Sequence, residues 1–269
     1  MKYGINTLDD FAWGGKVVLC RVDINAPLDK ESGGLRDVTR LKGCAPTVRE
    51  LAEAGARVVL LAHQGGDLEY HNYASTEPHA AVMSELTGRE VGFVDDVCGP
   101  AAREAVGRLA DGEILLLDNV RFCAEELTLF ERKLELSPED QAKTLVVRKL
   151  APLADLYVCD AFAAAHRSQP TLVGFEQLLP SAMGRLFEKE YANLARLREE
   201  PARPCVFLLG GTKIQEAFPM MEAALADGVV DQVLAAGLVA NVMLAAGGVE
   251  IGAASMEFIR TSQLEPYIE

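Results

Sequence analysis

The sequence predicts an α/β fold with two Rossmann-like parallel-sheet lobes joined by a long helix, the second lobe incomplete. Three observations carry that prediction. Short apolar runs alternate with stretches of helical period through the first 175 residues, the pattern of a doubly wound parallel sheet with right-handed crossovers. Each run ends abruptly in polar or charged residues. A stretch of amphipathic spacing from Pro180 to Arg198 then separates this set from a shorter one beginning after Pro204.

In order, Lys16–Asp23 reads as a strand covered on both faces, because it is continuously apolar and stops at a charge. Asp37 or Thr39 can cap a helix from Arg40 to Ala54, with Gly55 as its stop and Pro46 as a kink. Arg57–Ala62 is the second strand. Ser75–Pro78 opens a helix that closes at Gly88, and a short strand at Val91–Val94 and a helix at Pro100–Leu109 follow. Ile114–Leu117 is a buried strand, and the acid-rich segment after it, through Glu131, reads as exposed. Ser137–Glu139 starts a helix to Leu150, and Leu156–Cys159 is the next strand. Beyond the linking helix, Cys205–Leu209 and Gln232–Ala236 are strands, with a helix to Ala226 between them. The predicted domains are 1–175, a connector at 176–200, and 201–269.

Composition narrows the function. Twenty-six Lys+Arg against forty Asp+Glu give a net charge of −14, so no nucleic-acid or acidic-membrane partner is expected, and an anionic ligand needs a local basic cluster. Six cysteines without a C-x-x-C pair read as thiols of a reducing cytoplasm. The start of the chain lacks an apolar signal core, and the apolar run at 233–254 carries Asn241, Glu250 and several glycines, which suits a buried strand and helix better than a membrane span. No metal-ligand spacing occurs, since of His63, His71 and His79 only His63 ends a strand. Walker, G-x-G-x-x-G, G-x-S-x-G and H-E-x-x-H patterns are missing, which argues against a nicotinamide dehydrogenase or a serine or zinc hydrolase.

The polar residues at strand ends form a constellation. Arg21, Asp23 and Asn25 follow the first strand, His63 the second, Arg121 the fourth, and His166 and Arg167 the fifth, while Arg40 opens the first helix. A parallel sheet gathers these ends on one edge, where ligands bind. Several guanidinium groups at one spot suit a small polyanion, because each offers a permanently charged planar fork to phosphate or carboxylate. After Pro204, Gly210-Gly211-Thr212-Lys213 occupies a strand-to-helix turn suited to phosphate.

Five motifs, CRVDINAPL, LLAHQGG, LLLDNVRF, YVCDAFAAAHRSQPTLVGF and LLGGTKIQEAF, resemble in order and separation the phosphoglycerate kinase family, most closely its archaeal type, over essentially the whole chain. The resemblance implies a cytoplasmic, two-lobed, hinge-bending enzyme of glycolysis and gluconeogenesis. Such an enzyme moves a phosphoryl group between 1,3-bisphosphoglycerate and ADP to give 3-phosphoglycerate and ATP, with Mg2+ carried by the nucleotide and a monomeric or small homo-oligomeric state. It implies that Asp23, Ile24, Asn25, Arg40, His63, Gln64, Gly65, Gly66, Arg121 and Arg167 hold phosphoglycerate. Gly210, Gly211, Lys213 and Gly237 would meet the nucleotide, and Arg40 and Lys213 would act on the transferring group from opposite lobes. The nucleophile in either direction is already an anion, so cationic positioning rather than a general base supplies the catalysis.

Two departures from the family pattern stand out. Gly66 and Asp67 occupy positions where the family usually has a basic residue and Pro, which predicts weakened phosphoglycerate binding. The family's later GP-x-G-x-F-E and GGGD motifs are not found in the sequence. The expectation is therefore a C-terminally shortened chain that binds phosphoglycerate but turns over poorly, the alternative being a non-catalytic phosphoglycerate-binding remnant.

Overall fold

The computed structural model describes residues 1–269 except 30, 66–72, 128–133, 212–213 and 269 and the side chains of Gln215 and Glu216. The chain divides into two units, Met1–Tyr191 and Ala192–Glu269.

The first unit is built on six parallel strands: β1 (Val17–Arg21), β2 (Arg57–Leu61), β3 (Val91–Val94), β4 (Ile114–Leu117), β5 (Leu156–Cys159) and β6 (Ser181–Met183). Their order in the sheet is β3-β4-β2-β1-β5-β6. The side-chain period of two sorts β1 between two cores. Val18 and Cys20 pack with Leu41 and Val48 of α1 (Thr39–Glu53) and Met83 of α2 (Glu77–Thr87). Val17 and Leu19 pack on the opposite face with Val106 of α3 (Pro100–Arg108) and, after the short α4 (Pro138–Gln141), Val146 of α5 (Leu145–Leu150). Burying each such side chain contributes about 1.5–3 kcal/mol, so this alternation fixes which helices cover which face.

The predicted helix limits in this unit hold where caps are local. Asp37 accepts the Thr39 amide at 2.7 Å ahead of α1, and Gly55 follows it in the left-handed region at φ +81°. Three predictions fail where long-range contacts decide. The single helix predicted from Ser137 to Leu150 is two. Thr144 donates its hydroxyl to the Gln141 carbonyl at 2.6 Å, and the Glu125 carboxylate accepts the Leu145 and Val146 amides, so α5 begins anew on a side chain from another segment.

The linking helix also starts later than predicted. Ser181–Met183 pairs with Tyr157–Cys159 as β6, and the helix α6 runs Arg185–Glu199. Its first amides are met by side chains outside it: Arg185 N–H donates to Thr47 Oγ1 at 2.8 Å and Phe187 N–H to Asp160 Oδ1 at 3.0 Å. The Arg185 guanidinium adds a two-point pair with Glu50 at 2.6 and 2.9 Å. The boundary between the two units falls within α6. The third failure is the acid-rich segment after β4, where Glu126 is only 1% exposed because its carboxylate receives two hydrogen bonds from Thr171.

The second unit holds a parallel pair, β7 (Val206–Leu209) and β8 (Gln232–Ala235), with α7 (Ile214–Ala226), α8 (Gly237–Ala246) and α9 (Ala253–Thr261). Leu209, Ile214, Val239, Val242 and Ile259 form its core. Among the described residues no helix is long and apolar enough to cross a membrane.

Gly184 joins β6 to α6 where a Cβ would lie 2.3 Å from Asp160 Oδ1 and 2.7 Å from Asp160 Cβ. We expect Gly184→Ala to lower stability by about 1–3 kcal/mol, because the added methyl would collide with the buried Asp160 side chain. Urea unfolding measures this, and an unchanged midpoint contradicts the account.

Candidate active site

The carboxyl ends of β4, β2, β1 and β5 are contiguous in the sheet, and the cationic residues predicted from the sequence follow these four strands. Register does the positioning, since Arg21 at the end of β1 sits opposite Leu61 of β2 and Cys159 of β5. His63 emerges two residues beyond Leu61.

Arg21 is buried and its guanidinium bonds in three directions. Nε donates to Thr171 Oγ1 at 2.9 Å, Nη1 to the Val22 carbonyl at 2.6 Å, and Nη2 lies 3.1 Å from His63 Nδ1. Arginine only donates, so His63 Nδ1 must accept and the ring's proton sits on Nε2. Burial, followed by the charges of Arg21, Arg121, Arg167 and Arg40, holds the His63 imidazole well below its usual pKa. His63 is therefore neutral in the physiological range and offers an N–H. Among the described residues Nε2 has no hydrogen-bond partner, which leaves it available to an anion.

Around this pair the loops are cross-braced. Asn25 and Gly65 exchange hydrogen bonds, Gly65 N–H to Asn25 Oδ1 at 3.0 Å and Asn25 Nδ2 to the Gly65 carbonyl at 3.4 Å. Arg121 Nη1 donates to that same carbonyl at 2.5 Å, and its guanidinium lies 6.0 Å from the Tyr73 ring centroid. Gly65 adopts φ +108°, which a side chain would resist. Asp23 is buried and accepts Arg40 Nη1 at 2.6 Å, tying the half-exposed arginine of α1 to the end of β1.

Hydrogen bonds thus join Asp23, Asn25, Arg40, Gly65 and Arg121 in one cluster, while His63 is held separately by Arg21, with Arg167 near enough to depress it. Ile24 directs a fully buried side chain into the core, so only its main chain is open to a ligand. Gln64 is committed to scaffolding. Its amide clamps Ala26 at 3.0 and 2.8 Å, and its main chain exchanges bonds with the Asn119 side chain. His166 is exposed. Gly66 and Lys213 lie outside the described residues.

In the second unit Gly210, Gly211 and Gly237 gather at the carboxyl ends of β7 and β8. A Cβ on Gly237 would stand 4.0 Å from the Gly211 nitrogen, and Gly211 and Gly237 have φ of +93° and +57°. Bare backbone at a strand-to-helix turn suits phosphate.

Sequence reasoning missed Glu126 and Thr171 as members of this cluster. Burial pushes the Glu126 carboxyl up to about 7, against the opposing charge of Arg21 and the hydrogen bonds of Thr171. The only local signal was a Glu-Glu-Leu step following Arg121, which looks like ordinary surface.

The phosphoglycerate kinase family model matches residues 8–267. A phosphoglycerate kinase of Methanothermobacter thermautotrophicus is 47% identical over 261 residues, 97% of this chain and 62% of the relative. One from Sulfurisphaera tokodaii is 43% identical, again over 97% of this chain and 61% of the relative. The crystal structure of phosphoglycerate kinase from Pyrococcus horikoshii superposes with a TM-score of 0.87 at 39% identity, covering 98% of this chain and 63% of that one. The chain spans about three-fifths of the length of these relatives. On this evidence it belongs to the phosphoglycerate kinase family.

Proposed function

We propose that the protein serves the reversible transfer of a phosphoryl group between 1,3-bisphosphoglycerate and ADP, giving 3-phosphoglycerate and ATP. Phosphoglycerate is held by the 1–175 lobe, nucleotide is met by 201–269, and 176–200 connects the two. The observation that supports this best is the convergence of Arg21, Arg40, Arg121 and Arg167 on neutral His63, which builds a polyanion site within an acidic chain.

Arg121, Arg167 and the His63 Nε2–H supply hydrogen bonds to the phosphate and carboxylate of phosphoglycerate. Arg40 is held by Asp23 at 2.6 Å and is the half-exposed member, so a transferring phosphoryl group competes with Asp23 for its guanidinium. Lys213, assigned from the family's motif, approaches the same group with the nucleotide. MgADP enters as a substrate, and the protein residues contribute charge, alignment and exclusion of water. No side chain is asked to remove a proton, which agrees with a His63 kept neutral and hydrogen-bonded at Nδ1.

Three measurements test this reading. In calorimetric titration the chain should bind 3-phosphoglycerate, and Arg121→Ala should weaken it by about 2 kcal/mol, the cost of a lost hydrogen bond to a charged group. Absence of binding by the unaltered chain contradicts the proposal. MgADP should bind and Lys213→Ala should weaken it about ten-fold or more, whereas equal affinity in the variant removes Lys213 from the site. Ring resonances of His63 should show no titration between pH 6 and 8, because burial and four arginines oppose protonation. A midpoint within that interval contradicts the neutral donor.

A further inference from the structure

A single file of hydrogen bonds runs behind the basic site. Glu126 Oε1 accepts the Thr171 N–H at 2.6 Å and Oε2 faces the Thr171 hydroxyl at 3.0 Å. That hydroxyl oxygen accepts Arg21 Nε at 2.9 Å, and Arg21 Nη2 reaches His63 Nδ1 at 3.1 Å. Glu126, Thr171 and Arg21 are each at most 4% exposed, so water does not compete for these bonds.

The direction of each bond is forced in turn. Arg21 has no lone pair to offer and occupies an acceptor site on Thr171 Oγ1, so the one hydroxyl proton goes to Glu126. A carboxylate accepts both the N–H and the O–H of Thr171, which no neutral side chain of that shape does equally. With its Nε fixed, the planar Arg21 fork can present Nη2 only along the line to His63. The acid at one end of the file thereby sets the tautomer at the other.

We propose that Glu126 is a positioning residue of the anion site: through Thr171 it orients Arg21, and through Arg21 it fixes His63 as the Nε2–H donor. Above its raised pKa of about 7, as at pH 8, the Glu126 charge also offsets that of Arg21, which otherwise lies buried among like charges. Glu126 touches no substrate in this role. The ligand arm of the test below rests on the phosphoglycerate reading above, whereas the tautomer arm does not.

The test uses the full chain labelled with 15N in histidine at pH 8, comparing Glu126→Gln, Thr171→Val and Thr171→Ser by ring 15N–1H correlation and by 3-phosphoglycerate titration. The unaltered chain should show an Nε2-protonated His63. Glu126→Gln presents an amide N–H to one Thr171 group, and Thr171→Val removes the acceptor of Arg21 Nε. Both should give a mixed-tautomer His63 signal and about ten-fold weaker binding, while Thr171→Ser, which keeps the hydroxyl, should match the unaltered chain in both readouts. If Glu126→Gln does not fold, the Val and Ser pair decides. A wild-type His63 spectrum and affinity in folded Thr171→Val overturn the proposal. A tautomer change in a protein that never bound 3-phosphoglycerate supports the relay and overturns the ligand assignment instead.

Discussion

The parallel register of β1 between β2 and β5 is the constraint on which the first unit depends. Because Cys20 pairs with Leu60 on one side and Val158 on the other, all three strands stop at the same level. Their next residues leave the sheet together. Slipping β1 by one residue would exchange its two faces, turning Val18 and Cys20 away from α1 and removing Arg21 from His63. Core and site therefore share one determinant: the alternation that buries the strand also aims its last side chain.

Holding several guanidinium groups around one imidazole is costly unless their charge is answered. The first unit does this unevenly. Arg40 has a carboxylate partner in Asp23, Arg21 has the nearby Glu126, and Arg121 leans on a carbonyl and a ring face. Backbone oxygens of Val22 and Gly65 accept further hydrogen bonds from Arg21 and Arg121. Neutral carbonyl acceptors satisfy guanidinium hydrogens without cancelling the charge that attracts an anion.

Much of this was legible in the sequence, and the exceptions share a cause. Buried parallel strands announce themselves by length and apolarity, and β3, β4 and β5 fall at their predicted limits. The basic residues could be read because each follows such a run directly. Three elements were not legible. β6 has three residues, and its existence depends on pairing with Tyr157–Cys159 more than twenty positions earlier. The break between α4 and α5 depends on Glu125 arriving from another segment. Glu126 sits beside Glu125 yet is buried, and composition gives no means to tell the two apart. In each case the deciding partner is distant in sequence, where periodicity carries no information.

The placement of these arginines in an acidic protein has a kinetic consequence. At a distance a small anion meets a chain of net charge −14, and only within about a Debye length, ~8 Å at physiological salt, does the basic pocket dominate. The field is repulsive far away and attractive near. Moderate salt then acts on the two ranges differently, screening the outer barrier before it loosens the shielded contacts around His63. Encounter would quicken with added salt while retention falls, the reverse of a protein whose whole surface steers its ligand inward.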